Sequence, residues 1–117
     1  MKLRMVVYWV VRYNVLPGKG NSWIDFLKSD EAKRLIENVE KELGIKYIGD
    51  FGSVAGGGNF DFEEWWELPN FATFDKWRDS KAWDEWFDKV YQMLDTPGGK
   101  IQLYRPLTEA RRYEPRN

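Results

Sequence analysis

The sequence predicts an α+β domain of order βαββαβ, with four antiparallel strands and both helical segments on one face of the sheet. Three observations carry this. First, the chain repeats with an offset of 51 residues: Trp23, Phe26, Leu35, Ile36, Val39 and Leu43 align with Phe74, Trp77, Trp86, Phe87, Val90 and Leu94. Ser29 and Ser80 mark the same break in each copy. Second, each helical copy follows a strand-like run, residues 3–15 and 60–68. Third, glycine and proline clusters separate the segments where a chain must turn.

Residues 3–15 are rich in β-branched and aromatic side chains and read as a strand that Pro17, Gly18 and Gly20 end. Asn21 or Ser22 is placed to cap the next helix. Apolar residues at three- and four-residue spacing from Trp23 to Leu43 give that helix one buried stripe. Ser29–Asp30 is a second cap and predicts a break, and Gly44 predicts the stop. Residues 45–55 read as a strand that bends at Gly49 and Gly52, and Gly56-Gly57-Gly58-Asn59 as a hairpin turn. A strand over 60–68 leads through Pro69–Asn70 into the second helical stretch, broken at Asp79–Ser80. Thr96–Gly99 is a loop, and 100–107 the last strand. With right-handed crossovers and a central hairpin, this order is a ferredoxin-like layer. Residues 1–107 form the domain and 108–117 a C-terminal tail.

Composition narrows the chemistry. A chain of 117 residues with 43% apolar and 17% aromatic content supports one core. Eighteen basic residues against 19 acidic ones leave no broad basic field for nucleic acid, and Arg111, Arg112 and Arg116 cluster in the tail. With no cysteine and no histidine, thiolate chemistry, the commonest metal ligands and the usual haem ligand are absent, so neither metal nor cofactor is expected. The longest apolar run, Met5–Val11, is far short of the roughly 20 residues a spanning helix needs. The expectation is a soluble cytoplasmic protein with no nucleic-acid or membrane partner.

Glu64-Trp65-Trp66-Glu67-Leu68-Pro69-Asn70-Phe71, with Phe74 and Ser80-Lys81-Ala82-Trp83, resembles a signature of the dimeric α/β-barrel superfamily. Tyr13-Asn14-Val15-Leu16-Pro17-Gly18 resembles the first strand and turn of such proteins. The likeness covers most of residues 3–107 and is nearest to NIPSNAP-like and antibiotic-biosynthesis-monooxygenase-like proteins. It implies a homodimer whose two sheets close face to face, since helices on one face leave the other bare. It also implies a substrate held between sheet and helices. The haem enzymes and isomerases of the superfamily depend on histidine, and this chain departs from them.

Within that frame Trp9, Val11, Tyr13 and Val15 align with Phe60, Phe62, Glu64 and Trp66, and point at the helices. Glu64 is then a carboxylate on an aromatic face, and must be paired or neutralised. As a site residue it is a base with Tyr13 as hydrogen-bonding partner; as a structural one it meets water or a lysine. Trp9, Trp66, Trp83 and Phe87 either line a pocket for a small apolar or aromatic ligand or simply fill the core. On the opposite face, Arg12 beside Asp61, Glu63 and Glu67 predicts cross-strand ion pairs rather than paired-carboxylate glycoside chemistry. Gly18-Lys19-Gly20-Asn21-Ser22 lacks the full phosphate-loop pattern and reads as turn and cap. Three functions stay open: a small-molecule-binding homodimer, a cofactor-independent monooxygenase or isomerase-like enzyme, and a non-catalytic dimerisation or interaction module.

Overall fold

The computed structural model describes residues 6–53 and 60–107. The Gly56–Gly58 turn and the 108–117 tail lie outside them. In chain order the elements are strand β1 (Val7–Tyr13), helices α1 (Gly20–Leu27) and α2 (Asp30–Leu43), strands β2 (Lys46–Gly52) and β3 (Phe62–Leu68), a 3₁₀ segment (Phe71–Asp79), helix α3 (Lys81–Met93) and strand β4 (Lys100–Tyr104). The sheet order is β2-β3-β1-β4 with every neighbour antiparallel. This is the predicted ferredoxin-like arrangement.

The repeat is realised in its caps. Ser29 Oγ accepts from the Ala32 N–H at 3.1 Å, and Ser80 Oγ accepts from the Trp83 N–H at 3.0 Å. Each serine satisfies an otherwise unpaired donor in the first turn of the helix it opens. The helix N-terminus of α3 receives a second acceptor: the Glu42 carboxylate takes the Lys81 and Ala82 N–H groups, both at 3.0 Å. That contact pins α3 to the C-terminal end of α2. Gly44 ends α2 at φ 68°, a left-handed conformation that glycine adopts without a Cβ clash.

The elements differ from expectation in four places. The first helix begins at Gly20 after Lys19, with no side-chain cap, so neither Asn21 nor Ser22 performs that role. The stretch before Ser80 is a 3₁₀ segment, which Asn70 caps by accepting from the Thr73 N–H at 3.0 Å. Phe60 falls in a bend before β3, and Val15 meets only Leu94 through an isolated bridge. The last strand stops at Tyr104, short of residue 107.

Register decides which face is buried. Strand β1 pairs β3 with Trp9 opposite Trp66, Val11 opposite Glu64 and Tyr13 opposite Phe62. These residues face the helices and join Trp23, Leu35, Val39, Trp83, Trp86 and Val90 in one core. Tyr8, Val10, Arg12, Glu63, Trp65 and Glu67 take the other face.

The cap geometry generates a test. Ser80→Ala should lower stability by about 1 kcal/mol, and by up to about 2 because the serine is buried. Ser29→Ala should lower it by about 1 kcal/mol. Urea denaturation checks both; two unchanged midpoints would contradict the reading that the caps define the repeat.

Candidate functional site

Glu64 is only 3% exposed, and its Oε2 accepts from the Trp66 indole N–H at 2.8 Å. Alternation along β3 dictates this burial: Phe62, Glu64, Trp66 and Leu68 share one side, and three of the four belong under the helices. Around them the indoles interlock. Trp66 meets Trp83 at 5.7 Å and Trp86 at 6.4 Å, both near edge-to-face, and Trp9 lies 4.5 Å from Trp83. The space between sheet and helices is filled by rings.

A second carboxyl reaches the same place from the neighbouring strand. Simple alternation from Tyr47 would send Asp50 to the open face. A bulge between Tyr47 and Gly49 shifts the phase, so that Tyr47 opposes Trp66, Gly49 opposes Trp65, and Asp50 opposes Glu64. The Tyr47 hydroxyl donates to Asp50 Oδ2, and its ring sits 5.0 Å from Trp66. Asp50 Oδ1 is buried and receives no hydrogen bond. Asp50 and Tyr47 are half-buried on the edge strand, whereas Glu64 lies behind them.

The electrostatics follow from the geometry. Burial, then the nearby charge of Asp50, raises the Glu64 pKa well above the usual carboxylate range, although the Trp66 N–H favours its ionised form. The Trp86 indole N–H makes no regular hydrogen bond yet lies close enough to Glu64 to act in the same sense. Burial pushes Asp50 up to about 6, against the favourable hydroxyl of Tyr47. Burial likewise raises Tyr13 and Tyr47, each reinforced by carboxylate charge, so both phenols are neutral. The two carboxyls also share a side-chain hydrogen bond that favours the proton on Glu64 and the ionised form of Asp50. That proton on Glu64 gives the bare Asp50 Oδ1 a donor.

The residues singled out from sequence therefore land unequally. Glu64 and Trp66 are in direct contact, and Trp83 packs on Trp66. Trp9 belongs to the same ring cluster, reaching Trp77 and Phe74 as well. Tyr13 feels the charge of Glu64, but the donor to Glu64 is Trp66. Phe87 packs at the margin of the core and pairs with exposed Tyr91 at 6.4 Å. Asp50 and Tyr47 escaped notice in the sequence; the glycine that permits the bulge was the one available signal.

On the open face, Arg12 pairs with Glu63, donates to Gln102, and donates to the Tyr104 hydroxyl at 2.9 Å. Tyr104 stacks on Trp65 at 6.0 Å with the planes 9° apart, and Tyr8 flanks Trp65 at 5.8 Å. Asp61 instead accepts from the Val15 N–H at 2.8 Å. Among the described residues no acidic cluster is placed to hold a metal ion, and no helix is long and apolar enough to cross a membrane.

This architecture has solved counterparts. An uncharacterised NIPSNAP-like domain protein from Burkholderia xenovorans superposes with a TM-score of 0.65 at 17% identity, covering 97% of this chain and 95% of its own. A dimeric protein of unknown function and ferredoxin-like fold from Bacteroides fragilis gives 0.62 at 11%, covering 86% and 95%. A DABB-family protein with a ferredoxin-like fold from Mesorhizobium loti gives 0.56 at 15%, covering 89% and 99%. The fold is NIPSNAP-like and ferredoxin-like. No protein-family model matches the chain, and no curated protein sequence matches it. Likeness at these identities establishes the fold alone.

The acid pair makes stability depend on pH with a definite sign. Both acids have raised pKa values in the folded state, so the folded chain binds more protons than the unfolded one between about pH 4 and 6 and, for Glu64, beyond. Stability from these groups is present at acid pH and falls as pH rises through that window. Glu64→Gln should keep the fold, melt higher than the wild type at pH 7 and above, and flatten the fall. A variant that melts lower at pH 7 would mean that Glu64 is held ionised by a structural partner.

Proposed function

We propose that this chain is a small-molecule-binding protein that works as a homodimer, with the Asp50–Glu64 pair as the polar end of its site. One observation carries the reading. Two carboxyl groups are packed against each other in an aromatic layer, where burial disfavours their charge and adds nothing that an apolar pair would not. Such placement is characteristic of sites rather than of cores. The pair reaches the surface at the edge strand through Asp50 and Tyr47, which gives a ligand its approach. With one carboxyl protonated and its neighbour ionised, the pair is also equipped for cofactor-independent proton transfer, Glu64 as acid and Asp50 as base.

A second reading has its own support. Rings separated by 4.5 to 6.4 Å fill the layer around Trp9, Trp66, Trp83 and Trp86, as expected of an interaction module whose aromatics serve only packing. Native mass spectrometry of protein purified from its source separates the two. A retained small molecule, lost in Glu64→Gln, supports the site; chain mass alone under gentle conditions supports the module.

The homodimer rests on the bare face of the sheet. Phe51 is half exposed there, the Trp65–Tyr104 stack lies on the same face, and Arg12 is already paired with Glu63. A second copy of the same face covers this surface symmetrically. The Bacteroides fragilis counterpart is described as dimeric. Sedimentation at micromolar concentration should give about twice the 14.0 kDa of one chain. Trp65→Glu, which buries a like charge against its own copy, should shift the population to monomer; a wild-type monomer would remove the proposal.

A further inference from the structure

The sheet has two edges, and they are finished differently. At the β2 edge a bulge between Tyr47 and Gly49 breaks the register, and the Glu40 carboxylate from α2 accepts from the Tyr47 backbone N–H at 3.1 Å. Bulges and covered donors are devices that keep another strand from adding to a sheet. Strand β4 carries no bulge: its pairing with β1 runs without a shift from Tyr8 opposite Tyr104 to Arg12 opposite Lys100. Among the described residues no strand lies beyond it, so its outer backbone groups have no sheet partner. All five of its side chains are exposed. Ile101 and Leu103, opposite Val11 and Trp9, point to the side that β1 and β3 bury, yet they stay 52% and 37% exposed. An apolar, regular and uncovered edge is a template for pairing.

We infer that β4 is a second self-association edge, to which β4 of another copy of this chain adds antiparallel about a two-fold axis at Gln102. The pattern of β4 names the occupant. With the axis at Gln102, Ile101 falls opposite the second copy's Leu103, and Leu103 opposite its Ile101, on the helix side. On the open side Gln102 meets Gln102, and Lys100 meets the ring of Tyr104. Arg105 falls opposite Gly99, which has no side chain to obstruct it, and Pro106, without an N–H, ends the ladder. An axis at Leu103 would instead set Ile101 against Arg105, and one at Ile101 would set Leu103 against Gly99. Of these registers only the Gln102 axis matches both aliphatic side chains with aliphatic ones and opposes no like charges. A foreign strand would have to reproduce that pattern, whereas a second copy has it by symmetry. The contact goes beyond the face-to-face homodimer, since pairing of the open faces does not cover the edge and helix side of β4. A strand of five residues buries little, so it is the weaker contact and forms at about 100 μM rather than at micromolar concentration.

The chain has no cysteine, so one introduced thiol reports one position. Gln102→Cys puts two thiols at the axis with Cα atoms about 4.5–5.5 Å apart, within disulfide range. Lys100→Cys puts them about 14 Å apart, outside it. Both positions are exposed, so neither change disturbs the core. In the full chain at about 100 μM under mild oxidation, Gln102→Cys should cross-link about tenfold faster or more than Lys100→Cys. Equal rates would overturn the register and with it the inference. Sedimentation of Trp65→Glu, whose open face cannot pair, separates the two contacts. That variant should be a monomer at micromolar concentration and pair at about 500 μM, and adding Ile101→Lys should abolish the pairing. A Trp65→Glu chain that stays monomeric throughout, or whose pairing survives Ile101→Lys, would overturn the edge contact and leave the face-to-face dimer standing. A wild type that is monomeric at micromolar concentration yet cross-links through position 102 would remove the face-to-face dimer and keep the edge.

Discussion

The pairing of β1 with β3 is the constraint on which the rest of the molecule hangs. It sets Trp9 across from Trp66, Val11 across from Glu64 and Tyr13 across from Phe62. A slip of one residue would bring Arg12, Glu63 and Trp65 under the helices and turn two buried indoles to the open side. No rearrangement that frees Glu64 leaves its neighbours satisfied, because the carboxylate is in phase with Phe62, Trp66 and Leu68. Glu64 is buried by the hydrophobicity of the residues around it. Everything distinctive about the site, including the need for a second acid to share its proton, descends from that register.

The aromatic layer explains why the carboxyl is tolerable there. Indoles bring donors and no acceptors. Trp9, Trp77 and Trp86 each bury an N–H without a regular partner, whereas the Trp66 N–H ends on Glu64. Each unmet donor costs about 1–3 kcal/mol. A core built from so many indoles is short of acceptors, and an acid placed among them relieves part of that deficit. Chemistry and packing thus favour the same residue at this position, which is why its burial alone does not distinguish a site from a scaffold. Asp50 adds a second charge to a place already supplied with one.

Much of the fold was legible because its signals are local. Ser29 and Ser80 announce their helices by residue type and position, and both bond the first-turn amide three residues on. Gly44 announces a stop in the same way. Periodicity placed Glu64 on the helix-facing side, since β3 alternates without interruption. The 3₁₀ segment was not legible: Phe74 and Trp77 repeat the spacing of Trp23 and Phe26, yet the winding of that stretch depends on packing against β3 and α2. Asp50 was not legible either. Gly49 marked a bend, but only the pairing with β3 shows that one extra residue is absorbed before it and that every later side chain of β2 changes face. Whether Trp9 and Trp83 fill a core or line a cleft turns on partners distant in sequence, beyond the reach of any spacing rule.

The 3₁₀ segment, Phe71–Asp79, has a consequence for how the molecule opens. Its counterpart in the first half of the chain is an α-helix, with one bond per residue at good geometry. A 3₁₀ run of nine residues is long for its type, since its bonds are strained and its side chains eclipse. The two halves are alike in pattern and unequal in resistance to fraying. Amide protons of residues 71–79 should therefore exchange with solvent ahead of those in α1 and α2. Phe74 and Trp77 pack on Trp9, so opening of this segment would expose the inner aromatic layer on that side. A symmetry in sequence is thus paired with an asymmetry in winding, α-helical in the first half and 3₁₀ in the second.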